Sequence, residues 1–262
     1  MTGALTRFGA RVRASALRTA DVARLGGRVL RLAWEERGGR GGLMLEAIVK
    51  QIRFTGVDAF GLVAVAAAVL GVITTLQVEW FLRGLAEAGF AEKAAMFVLV
   101  RELPAILVGS ILIARSGTAI TTELASLRVH REAEPLCAHG IPLEYLLVFP
   151  RLIAFPLASF CLTAYFVAIA LGAGAIAAPL LLPGPGAFSM RLVLETAGPL
   201  DVLLPAVKSA VFGASTALVC CAAGLGVGRS PREIPQAATR AVSASFVACL
   251  ALNAILSLAV LL

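Results

Sequence analysis

From position 54 onward the chain alternates between apolar runs of membrane-spanning length and shorter polar or glycine-rich stretches. An α-helix rises 1.5 Å per residue, so about 20 apolar residues cross the hydrocarbon of a bilayer. Five runs meet that requirement, over 54–76, 94–114, 152–171, 202–225 and 241–262. Between the second and third lies a polar stretch, 115–151, carrying Arg115, Glu123, Arg128, Arg131, Glu132, Glu134 and Arg151, with breakers at Pro135, Gly140 and Pro142. Residues 172–201 are rich in Gly and Pro, and their apolar run over 175–182 is too short to cross. A partly inserted hairpin or a lid on the outer side is expected there.

Ahead of these runs, Leu5, Phe8, Val12, Leu25, Val29 and Leu32 recur at roughly helical spacing among many arginines. Such a helix lies in the membrane interface, its arginines reaching toward the headgroups. Past the glycines at 38, 39, 41 and 42 a second amphipathic piece sets Leu45, Ile48, Val49 and Ile52 against Lys50 and Arg53. The pattern therefore predicts an all-α integral membrane protein. An N-terminal interfacial or cytoplasmic arm fills 1–53, and a domain of about five transmembrane helices fills 54–262.

Composition supports lipid as the solvent. Of 262 residues, 59% are hydrophobic and 15% charged, with a mean hydropathy of +0.91, whereas soluble domains carry roughly 25% charged residues. The net charge of +7 raises nucleic acid as a partner, but 11 of the 23 Lys and Arg precede position 54, beside the membrane domain. That placement suits an anionic membrane face, and no nucleic-acid-binding motif accompanies it. The five cysteines (Cys137, Cys161, Cys220, Cys221 and Cys249) lack CxxC spacing, and most sit in apolar runs, where thiols act as small hydrophobes. Neither a metal nor a disulfide is expected. The basic first twenty residues read as a surface arm rather than an organellar presequence, and residues 1–42 lack the apolar core of a secretory signal.

Arginine marks the cytoplasmic side. The arm, the 115–151 loop and the 226–240 loop are rich in it, while the 81–93 and 172–201 connections hold only Arg83, Lys93 and Arg191. The N-terminus is therefore expected in the cytoplasm and, after five crossings, the C-terminus outside.

Charges inside the bilayer are costly, about 2.5–3.5 kcal/mol each on the milder scale. Arg101, Glu102, Lys208 and Asn253 interrupt the second, fourth and fifth runs. Counted from the outer ends of their helices, they fall at one level, roughly 10 Å deep. A Glu102–Lys208 ion pair that fixes helix packing is one reading. A polar patch lining an outward-open cavity is the preferred one, since intramembrane ionisable groups usually line such paths. Pro104 would add a kink there.

Several stretches, in order and at matching spacing, resemble one family. Arg101-Glu102-Leu103, then Ala114-Arg115-Ser116-Gly117-Thr118-Ala119-Ile120 and Thr122-Glu123-Leu124, are similar to the "REL…GRxGSAIAAEL" core of MlaE-type ABC transporter permeases. Gly140-Ile141-Pro142 through Pro150-Arg151, Val207-Lys208-Ser209 with Val211-Phe212-Gly213, and Ala238-Thr239-Arg240-Ala241-Val242 continue the match over residues 45–262. Departures include Pro104-Ala105 for the family's Gly-Pro, Asn253 for an acidic residue, and Glu134-Pro135 for an Asp-Ala pair.

The resemblance implies a homodimeric permease that moves phospholipids or related lipids in a bacterial inner membrane. It implies a separate ABC ATPase on the cytoplasmic side and an MCE-type lipid-binding protein on the outer, periplasmic side. ATP belongs to that partner: this chain has no GxxxxGK[ST] loop, and no cofactor or catalytic residue of its own is expected. The resemblance makes 115–151 the coupling loop, with Glu123, Arg128, Arg131, Glu132 and Glu134 as ATPase contacts. Headgroups or cavity water would lie near Arg101, Glu102 and Lys208, and acyl chains against Ile73, Leu76 and Val78. An ion-coupled secondary transporter is the alternative, but the five unequal spans offer no inverted repeat. A passive assembly subunit comes third. A membrane enzyme comes last, lacking a nucleophile–base pair.

Overall fold

The computed structural model describes residues 22–29, 31, 32, 34, 41–83, 101–132, 143–181, 199–228 and 230–261. Within them every regular element is helical. The labelled helices are α1 (Gly41–Thr55), α2 (Phe60–Arg83), α3 (Leu103–Leu112), α4 (Thr118–Val129), α5 (Leu143–Leu181), α6 (Pro199–Leu225) and α7 (Glu233–Leu261). Five stretches among the described residues are long and apolar enough to cross a membrane: Met44–Gln77, Leu103–Val129, Tyr145–Leu181, Leu203–Leu225 and Glu233–Ala259. The protein is an all-α, multi-pass membrane protein.

α5 is the central post, packing most extensively on α6 and α2. Small residues allow these approaches, as they do between helices in lipid. A Cβ on Gly213 of α6 would stand 2.7 Å from the Phe155 carbonyl oxygen of α5. Beside it, the Ser159 hydroxyl donates to the Ser209 carbonyl at 2.8 Å, and the Ser209 hydroxyl lies 3.1 Å from the Ser159 carbonyl. On the other side of α5, Gly71 of α2 leaves no room for a side chain against Ala170, nor Gly174 against Thr75. Phe155, Phe166, Leu112, Ile120, Leu124 and Leu162 fill the main core. Cys220 and Cys221 are buried in it as small apolar groups.

Helical residues 22–29 reach that core as well. Leu25 and Val29 are buried within it, and a Cβ on Gly26 would meet Leu218 of α6 at 3.3 Å. Residues 1–20 of the expected arm lie outside the described residues.

Several boundaries differ from the sequence reading. The second span does not end at 114. A π-helical stretch, Ile113–Gly117, joins α3 to α4, and the helix continues to Val129. Residues 172–181, expected to open a hairpin, extend α5 instead, and 182–198 lie outside the described residues. The fifth helix starts at Glu233 rather than 241. Pro104 occupies the first turn of α3, directly after the π-type turn at Arg101 and Glu102, and residues 84–100 lie outside the described residues.

Candidate functional site: a polar centre among three spans

Arg101 and Glu102 form a π-type turn leading into α3, Lys208 lies on α6, and Asn253 and Ser257 lie one turn apart on α7. α6 packs against both α3 and α7, which brings the Glu102, Lys208, Asn253 and Ser257 side chains to one point. The Lys208 ammonium is 2.7 Å from Glu102 Oε1 and 2.8 Å from Ser257 Oγ. Asn253 Nδ2 donates to Glu102 Oε2 at 3.1 Å, and Ser257 Oγ lies 3.0 and 3.1 Å from the two carboxylate oxygens. The Lys208 side chain is 8% exposed and that of Glu102 19%. The carboxylate thus holds one ammonium and two neutral partners, a neutral assembly that an apolar surround tolerates because each charge is matched.

An apolar wall underlies this centre. Ala105, Ile113, Phe212 and Cys249 are buried together, with Val242, Phe246, Leu252 and Leu256 packed on them. The centre therefore sits beside a packed apolar core, where each of its charges needs the partner it has. Ile73 and Leu76 stand elsewhere. They lie on α2, which packs along α5 rather than on α6 or α7, and Ile73 is exposed. Val78 continues the same helix, and its side chain lies outside the described residues.

A second polar group ties α4 to α5. The Arg151 guanidinium meets the Glu123 carboxylate at 2.7 Å and also donates to the Leu147 carbonyl. Glu123 is therefore engaged within the chain. Arg128, Arg131 and Glu132 stand exposed at the end of α4, where Arg131 closes the helix with φ of 57°. Glu134 lies outside the described residues.

A third tie involves Arg115, in the π-helical stretch. It donates to the Phe54 carbonyl at 2.9 Å, lies 3.5 Å from Asp58 Oδ2, and stacks over the Phe54 ring at 5.5 Å. The chain breaks at Gly56 between α1 and α2, passing through a 3-10 turn at Val57–Ala59. Arg115 thus caps a carbonyl that the end of α1 leaves without a helical partner.

The sequence reading missed Ser257. Its position four residues after Asn253 places both on one face of a helix, and that spacing was the available signal.

A family model described as permease MlaE matches residues 48–259. Among curated relatives, a probable ABC transporter permease protein of Rickettsia felis is 29% identical over 213 residues, covering 80% of this chain and 82% of that protein. A probable ABC transporter permease protein of Synechocystis is 26% identical, covering 80% of each chain. The chloroplastic protein trigalactosyldiacylglycerol 1 of Arabidopsis thaliana is 25% identical over 80% of this chain and 60% of its own length.

Proposed function

The chain belongs to the MlaE permease family, and on that premise we propose that two copies form the membrane-embedded half of an ABC transporter for phospholipids or related lipids. A separate ABC ATPase would supply the energy from the cytoplasmic side, and an MCE-type lipid-binding protein would exchange lipid on the outer side. The setting is a bacterial inner membrane, with the N-terminus cytoplasmic and the C-terminus periplasmic, as the distribution of arginine favours.

The observation that carries the lipid reading is the buried polar centre of Glu102, Lys208, Asn253 and Ser257 within the spanning helices. Buried ionisable groups in spanning helices mark substrate paths. A charged headgroup exchanging with the Glu102–Lys208 pair, while acyl chains run along apolar helix faces, is the chemistry this centre offers. The name of the Arabidopsis relative, that of a glycolipid, favours the same class. Closure of the ATPases would press on the end of α4 at Arg128, Arg131 and Glu132, with Glu134 just beyond. The continuous α3–α4 helix would pass that push toward Glu102 at its opposite end.

Glu102→Ala and Lys208→Ala are each expected to reduce ATP-driven transfer of a fluorescent phospholipid from proteoliposomes by tenfold or more, with membrane insertion intact. Normal transfer by both variants would sink the cavity reading. A photo-crosslinker at position 128 is expected to capture the ATPase, and capture in no nucleotide state would sink the coupling reading.

A further inference from the structure

The turn between α6 and α7 and the end of α4 form one block. Ala125 of α4, Val227 of the turn and Ala237 of α7 are buried against one another, with Val129 and Ile234 packed around them. The turn itself is clamped. Glu233 reaches back to accept the Gly228 amide at 2.8 Å, while the Glu233 and Ile234 amides donate to the Ser230 and Pro231 carbonyls at 3.0 and 3.3 Å. Such a turn holds its shape and moves with α4 rather than independently of it.

The outer side of the block is polar. Along the first two turns of α7, Ala237 and Ala241 point inward, while Gln236, Thr239 and Arg240 are exposed, as is Arg232 just before the helix. Arg128 and Arg131 at the end of α4 add to this basic character, with Glu132 an exposed acid beside them, while the Glu233 carboxylate is taken up by Gly228.

We propose that Arg232, Gln236 and Arg240 form a second docking strip for the ATPase subunit, one that meets an acidic face beside the contact made by α4. This rests on the reading of α4 as the coupling contact. A partner that grips the end of α4 has the α6–α7 turn beside it, because the two share a buried core. The strip gives the coupling contact a second lever arm: the push reaches the second span through α4 and the fifth through α7. Those spans contribute Glu102 on one side and Asn253 and Ser257 on the other. A push on this block therefore reaches the helices that build the polar centre, α6 with Lys208 included.

The test uses the intact complex in native membranes, with a photo-crosslinking residue at position 236 and, separately, at position 128. Capture of the ATPase from both positions supports the strip. Capture from 128 with only lipid, or nothing, captured from 236 overturns it and leaves the transporter reading standing. Capture from neither position overturns both. In the same complex, Arg232→Glu combined with Arg240→Glu is expected to weaken ATPase binding by about tenfold and to flatten its salt dependence, as changes at rim charges do. Unchanged affinity together with no capture at 236 rules the strip out. Gln236→Ala, which keeps both arginines, controls for folding and is expected to bind normally.

Discussion

At the scale of single residues, what matters is that Glu102 serves two roles. It neutralises Lys208 and accepts from Asn253 and Ser257. Removing one member of a buried ion pair leaves the other uncompensated, at a cost of about 3 kcal/mol, whereas replacing both with neutral groups of similar size restores most of that loss. Lys208→Met is therefore expected to lower the melting temperature in nanodiscs by several degrees. Glu102→Gln with Lys208→Met is expected to recover most of that drop while still failing to transport. Equal melting temperatures for the single and double variants would show that the two residues do not act as a pair. Ser257→Ala removes hydrogen bonds to both charged partners, Lys208 and Glu102, and its expected cost is about 1.5–3 kcal/mol.

At the scale of elements, glycine positions separate contacts that hold helices together from open ones. Gly213→Ala drives a methyl group to 2.7 Å from the Phe155 carbonyl, so α5 and α6 must part. The expected loss is about 1–3 kcal/mol, against no measurable change for Gly61→Ala, which meets nothing within 4 Å. Thermal unfolding of the two variants side by side checks the contrast. Arg115 makes a different kind of joint, tying the broken first span to the π-helical stretch of the second. Arg115→Gln is expected to broaden the distance distribution between spin labels at positions 49 and 114, and an unchanged width would remove its role as a tie. The same elements show which features the sequence made legible. Intramembrane charges and long apolar runs are strong signals, so the span count and the level of Glu102, Lys208 and Asn253 could be read directly. The continuation of the second helix past 114 was hidden because its polar residues looked like a loop. In the fold those groups find partners close at hand: Thr118, Thr121 and Thr122 donate to the carbonyls of Ala114, Gly117 and Thr118, and Glu123 meets Arg151. Gly172 and Gly174 suggested a break in the same way, yet Gly174 serves to let α5 lie against Thr75 of α2.

At the scale of the whole molecule, the fold places its two kinds of polar chemistry at opposite ends of the same helices. α3 begins beside Glu102, and its continuation α4 ends at Arg128 and Arg131. α7 begins beside Arg232 and Arg240 and reaches Asn253 and Ser257 near its far end. A helix of 27 residues such as Leu103–Val129 is about 40 Å long, enough to carry an axial push from one membrane face toward the other. The direction of that push depends on orientation, for which the arginines give the expectation. On the proposed orientation, with lysine and arginine retained on the cytoplasmic side, the α4 end and the α6–α7 turn would lie inside and the start of α6 near 200 outside. Single cysteines at positions 230 and 200 test this in a background where Cys137, Cys161, Cys220, Cys221 and Cys249 are replaced by alanine. A membrane-impermeant maleimide applied to spheroplasts is expected to label position 200 at once and position 230 only after lysis. The reverse pattern would put the basic block on the outer face, where no ATPase could reach it, and the coupling scheme would fall with it. If labelling follows the expected order, Arg128 and Arg232 face the ATP-hydrolysing partner. The Glu102–Lys208 pair then lies in the outer half of the bilayer, where, on the proposed function, an outer-side carrier would exchange lipid with it.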